Sequence, residues 1–165
     1  KAGYKNICEI GKERIRRAGA KIEKGDTGFK VFKLDTSNLA KWDSTPTEDE
    51  LEVLERLSLI QDSIKPDRTD LDLVYEVMLK LGIPLDYKVI PIEINDKKAY
   101  SIGEDCLVLV CVDYGKDGIT PDDVKAMCEY VPAQIVSTEK AFKDDSALKN
   151  VYYILKNNNI EIKLL

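Results

Sequence analysis

The sequence predicts an α/β protein, in which a small α/β domain combines a β-hairpin with a parallel βαβαβ unit. Three observations in the final third carry this. Cys106–Val112 is an uninterrupted apolar run of strand length, the pattern of a strand buried on both faces, and the strand is read as Cys106–Asp113. Thr120-Pro121-Asp122-Asp123 then has the chemistry of a helix start: a capping threonine, proline at the first helical position and acids in the first turn. Gln134–Ser137, a helix from Asp144-Asp145-Ser146 to about Lys156, and Ile160–Leu164 continue the alternation. Strand–helix–strand succession with short loops requires a parallel sheet built from right-handed crossovers.

The earlier elements follow in chain order. Residues 5–24 read as a helix, because Ile7, Gly11, Ile15, Ala18 and Ile22 recur at helical spacing while Lys5, Lys12 and Arg16 face away. Glu13 and Arg17 are spaced for an i,i+4 pair. Gly25-Asp26-Thr27-Gly28 ends that helix, and Phe29–Leu34 reads as a short strand. Asp35–Pro46 is polar and reads as a linker, with Trp42 packing it down. Thr47 and Glu50 make a capping box for a second helix, whose apolar face is Leu51, Leu54, Leu57 and Ile60 or Ile64. A third helix runs from Asp67 to Leu81, with Leu71, Val74, Met78 and Leu81 inward and Gly82 as its stop. Tyr87–Ile94 and Lys97–Ile102 alternate, and Asn95-Asp96 joins them as a hairpin.

Composition bounds the function. The 165 residues are 44% hydrophobic and 33% charged, a balance that suits one medium folded domain or two small ones and argues against global disorder. No apolar run approaches the roughly 20 residues of a membrane span, and the opening Lys-Ala-Gly-Tyr-Lys has no signal-peptide core. Four cysteines without a CxxC read as small buried residues in a reducing, cytoplasmic setting. With no histidine in the chain, His-dependent triads and HExxH zinc sites are excluded. The chain opens on Lys1 rather than Met, which reads as a piece of a longer protein. Residues 1–33 hold ten Lys or Arg against four acids, a net +6, so the remainder of a chain at −5 must sum to −11.

Few residues carry recognisable chemistry. There is no GxGxxG, GxxxxGK[ST] or GxSxG. Lys12, Arg14, Arg16, Arg17 and Lys21 are the candidate phosphate contacts, against the plainer reading of a solvated helix face. Asp113, Asp144 and Asp145 fall at the carboxyl ends of predicted parallel strands, where three carboxylates would hold Mg²⁺ in a small metal-dependent enzyme or phosphoacceptor. The plainer reading makes Asp113 a turn residue and Asp144 or Asp145 a helix cap. Cys106 and Cys111, five apart on one strand, point to opposite faces and read as core. Tyr152-Tyr153 reads as the edge of the core rather than a base-stacking pair.

The run Tyr4-Lys5-Asn6-Ile7-Cys8-Glu9-Ile10-Gly11-Lys12-Glu13-Arg14-Ile15-Arg16-Arg17-Ala18-Gly19 resembles the modification (Mod) subunit of type III restriction–modification systems. So do Asp26-Thr27-Gly28-Phe29-Lys30-Val31-Phe32-Lys33-Leu34-Asp35 with Ser37-Asn38 and Trp42, then Arg68-Thr69-Asp70 with Tyr75–Gly82, and the tail with Phe142-Lys143-Asp144-Asp145 and Asn150. The resemblance implies a parent that is an S-adenosylmethionine-dependent DNA adenine-N6 methyltransferase, which dimerises and joins a restriction (Res) helicase–nuclease subunit. That family's Asp-Pro-Pro-Tyr and Phe-x-Gly-x-Gly motifs do not occur here, so no catalytic, cofactor or metal residue is carried over. The resemblance implies residues 1–34 as a basic helix–strand edge of a Rossmann-like methyltransferase core, 35–46 as a linker, and 47–165 as a C-terminal accessory domain. The expected chain is non-catalytic by itself, holds no cofactor, reaches DNA through its parent, and contacts no membrane.

Overall fold

A computed structural model describes residues 3–39, 45–46, 49–54, 64–112 and 115–165. The chain divides into two compact units, Lys1–Asp35 and Thr36–Leu165. Trp42, Thr47, Leu57, Ile60 and Asp113 lie outside the described residues, and with them the capping box and much of the second predicted helix. Residues 50–54 are helical, but Leu51 and Leu54 are exposed rather than turned inward.

In the first unit, α1 spans Ile7–Gly19, shorter than the periodicity predicts. Asn6 caps it by accepting from the Glu9 amide at 2.9 Å. Gly19 is where the chain folds back, since a Cβ there would lie 3.1 Å from Thr27 Cβ. Asp26 closes the turn by accepting from the Gly28 amide at 2.8 Å. The predicted strand at residues 29–34 is not formed; that stretch is irregular. A strand needs a neighbour to receive its hydrogen bonds, and among the described residues of this unit the one regular element is a helix. No residue of α1 is buried, and Ile7 is 85% exposed.

The second unit is a three-layer α/β arrangement. Its helix α2 (Asp70–Leu81) precedes β1 (Val89–Ile94), β2 (Lys97–Ile102) and β3 (Val108–Val110). Then come α3 (Pro121–Cys128), β4 (Gln134–Ser137), a 3-10 turn at Glu139–Ala141, α4 (Asp145–Asn157) and β5 (Glu161–Leu164). The five strands lie in the order β1-β2-β3-β4-β5, antiparallel through β3 and parallel from β3 to β5. The hairpin and the parallel βαβαβ unit are therefore both present. Asn95 (φ 47°) and Asp96 (φ 66°) are both left-handed, as a two-residue hairpin turn matched to strand twist requires.

One row of the register crosses every strand: Val89, Ile102, Val108, Gln134 and Glu161. β3 and the residues after it alternate between two cores. Val108, Val110 and Val112 meet Leu73, Val74, Val77 and Met78 of α2. Leu109 and Cys111 meet Val124 and Met127 of α3 and Val151 and Leu155 of α4 on the other face. Both crossover helices share that face because two right-handed crossovers moving in one direction must.

Local chemistry sets the helix ends. Thr69, not Asp67, starts α2, through a reciprocal capping box with Asp72. Gly82 ends it at φ 70°, with the Ile83 amide donating to the Met78 carbonyl at 2.8 Å. Leu71 is exposed, because Leu73, Val74, Val77 and Met78 form the buried stripe instead.

Residues 36–39, predicted as linker, are tied to α2. Glu76 accepts from Ser37 Oγ at 2.5 Å and from the Asn38 amide at 2.6 Å, and Lys80 sits 3.0 Å from it. Leu39 bridges Ile64. Burial resists ionisation of Glu76, but these donors overcome it and lower its pKa below 4.5. The clasp is therefore full above the ordinary carboxylate range and is lost as pH falls through the lowered value. Glu76→Ala is expected to cost about 1.5–3 kcal/mol, the range for hydrogen bonds to a charged group. Urea unfolding and faster exchange of the Asn38 amide would report it; an unchanged amide would refute the clasp.

Candidate functional site

Of the basic residues on the first unit, Lys12 is 2.8 Å from Glu9, Arg17 is 2.7 Å from Glu13, and Arg16 is 4.0 Å from Glu13. The Lys12 hydrogen bond and charge lower the pKa of Glu9, and Glu13 raises that of Arg17. At about 100° per residue, Lys12 and Arg16 fall on one side of α1 and Arg14 and Arg17 on another. Lys21 lies in the turn beyond the helix. The four cations on α1 thus flank the Ile7–Ile15–Ala18 stripe in two groups, and α1 does not gather them into one patch.

The carboxyl end of the parallel strands is the usual ligand position in an open α/β sheet, at a point where strand order reverses. Here the order never reverses. Among the described residues, all three helix N-termini at this end are closed by their own acids, α2 by Asp72 and α3 by Asp123 in capping boxes and α4 by Asp144. Asp144 accepts from the Ala147 amide at 2.8 Å, the capping role weighed for it. Asp145 is exposed in the first turn of α4. Among the described residues no group of three His, Cys, Asp or Glu is placed to hold a metal ion. Asp113, the third member of the suggested trio, lies outside them.

Asp123 is the most strongly perturbed acid at this end. It closes a capping box with Thr120 and pairs with Lys97 at 2.8 Å. Asn95 at the hairpin tip donates to it at 3.0 Å. Burial pushes its pKa up, but Lys97, the Thr120 amide, Asn95 and the Thr120 hydroxyl outweigh that and lower it from 3.8 to about 2. The sequence signals the cap but not the lysine, which arrives from a hairpin 26 residues earlier in the chain. Such a saturated acid clamps the hairpin to α3 and has no capacity left for proton transfer near neutral pH.

The cysteines correct a premise. Cys106 is not on a strand but in the preceding turn at φ 51°, because the ladder begins at Val108. It packs in the same core as Cys111, not on the opposite face. Burial raises the thiol pKa of Cys106 against a Ser101 hydrogen bond, and also raises that of Cys128. Cys8 is exposed. Tyr152 and Tyr153 are exposed rather than at a core edge, since Val151 and Leu155 take the buried side of α4.

No family model, curated protein or solved structure matches the chain. Among the described residues no helix is long and apolar enough to cross a membrane.

Proposed function

We propose that the chain is part of the modification subunit of a type III restriction–modification system, with residues 47–165 serving assembly with a second modification subunit or with the restriction subunit. The observation that carries this reading is the pair of runs Tyr4–Gly19 and Asp26–Asp35, in order and both resembling one family. The exposed apolar stripe of α1 supports it, as such a stripe suits a helix covered by a methyltransferase core. The closure of the helix N-termini at the carboxyl end of the second unit's sheet by Asp72, Asp123 and Asp144 favours a binding role over a catalytic one there. On this reading the parent uses S-adenosylmethionine to methylate adenine N6 in DNA and works in the cytoplasm.

Sequencing the native gene upstream of the Lys1 codon tests the assignment directly. An open frame carrying Asp-Pro-Pro-Tyr and Phe-x-Gly-x-Gly supports it, and a start codon immediately before Lys1 overturns it. The isolated chain is expected to give no S-adenosylmethionine heat in calorimetry and no DNA methylation. Stoichiometric cofactor binding would contradict the placement of the site outside these residues. Deleting residues 46–165 from the full subunit is expected to abolish one of the two assembly contacts, and retention of both would remove the assembly role.

A further inference from the structure

The opposite end of the second unit's sheet has a different character. The row Val89, Ile102, Val108, Gln134 and Glu161 marks it. Just beyond that row stand Tyr87, Leu107, Tyr130 and Val131, all exposed. They are neighbours through the backbone: a Cβ on Gly103 would lie 3.4 Å from Leu107 Cβ and 3.9 Å from Tyr87 Cδ2. The Ala133 amide donates to the Leu107 carbonyl at 3.1 Å, which brings the Tyr130–Val131 turn alongside. From β1 to β4 the row spans about 14 Å, the length of a helix of roughly nine residues.

Val131 is the informative member. It is 77% exposed and held at φ 51°, a backbone conformation that a β-branched side chain resists. Folding alone gains nothing from an apolar side chain kept outward in strained backbone, and strain of this kind points to a use.

The surroundings are acidic. Asp86, Glu104, Asp105 and Glu129 are exposed in the loops at this end, and Glu161 opens β5 beside them. The carboxyl ends of α2, α3 and α4 all arrive here as well, adding the negative poles of three helices. The cations are few. Lys88 lies 3.5 Å from Glu104, Lys80 and Lys125 are bound to Glu76 and Asp122, and Lys156 is exposed.

We infer that this end of the sheet is a docking face for a cationic amphipathic helix of a partner protein, with Tyr87, Leu107, Tyr130 and Val131 taking its apolar side chains and the acidic rim its lysines or arginines. Two aromatics and two aliphatics inside a charged rim have the composition of an interface centre. The sign of the rim selects against nucleic acid and anionic lipid, which carry the same charge. The face is independent of the restriction–modification assignment, because it rests on the second unit's geometry alone.

The test titrates the whole chain with a fluorescent helical peptide of leucine and lysine, its leucines at three- and four-residue spacing. Saturable one-to-one binding is expected, with little binding of the matching leucine–glutamate peptide. Leu107→Asp separates docking from plain charge attraction. It adds a negative charge, so attraction alone would tighten binding, whereas docking predicts a loss of about tenfold or more. Val131→Gly is expected to raise the melting temperature by relieving strain and to weaken the peptide, and Glu104→Lys with Asp105→Lys to weaken it further. Absence of saturable binding, or unchanged or tighter binding to Leu107→Asp, would overturn the face. Self-association of the chain abolished by Leu107→Asp would overturn it too, by giving the face to a second copy. None of these outcomes touches the upstream-gene test of the assignment above.

Discussion

Asp123→Ala is expected to destabilise the second unit by about 3–5 kcal/mol, the usual consequence of removing one partner from a buried ion pair. The Asp123 side chain is only 4% exposed and Lys97 is 13% exposed, so the substitution strands an ammonium away from water. It also frees the Thr120 amide and the Asn95 side chain that the carboxylate accepts from at 2.8 and 3.0 Å. The same group sets an acid limit. Its pKa falls from 3.8 unfolded to about 2 folded, so its stabilisation is complete above about pH 5 and is lost as pH drops towards 2. A difference of that size corresponds to about 2 kcal/mol. Urea unfolding at neutral pH and at a series of acid pH values should show both effects. A variant within 1 kcal/mol of the parent, or one with the same acid slope, would show that the clamp does not hold the hairpin.

Gly118→Ala is expected to cost about 3 kcal/mol, against about 1 kcal/mol for Gly115→Ala. Both glycines lie in the loop between β3 and α3 with left-handed φ, 71° and 64°. Any side chain suffers the left-handed penalty at either position. Only at Gly118 does a Cβ also meet backbone, 2.8 Å from the Ala141 carbonyl oxygen, while Gly115 has open space. The Ile119 amide donates to that same carbonyl at 2.6 Å, so the loop cannot retreat without losing a buried bond. Equal melting temperatures for the two variants would refute the close approach.

The contrast between the two units shows where sequence reasoning succeeds. Helix starts were legible at Thr120 and Asp144, where the capping donor and acceptor are three residues apart, but the same spacing at Thr69 and Asn6 went unread. The hairpin was legible because Asn95-Asp96 tolerates two consecutive left-handed residues. The strand at residues 29–34 was misread, since alternation reports a face that wants cover and not the neighbour that supplies it. Likewise, the apolar run Cys106–Val112 announced a doubly buried strand but not its start, and Cys106 went into a turn.

Periodicity and capping chemistry are local, and local spacing was enough to order the elements of the parallel unit and make its sheet parallel. The Lys97–Asp123 clamp, the Glu76 clasp on residues 36–39 and the Leu107–Ala133 hydrogen bond each join residues 20 or more positions apart. No spacing rule encodes those meetings. They arise only when β2 and β3 fix the register and three helices are laid against it, because side-chain proximity across a sheet is set by strand pairing and not by distance along the chain.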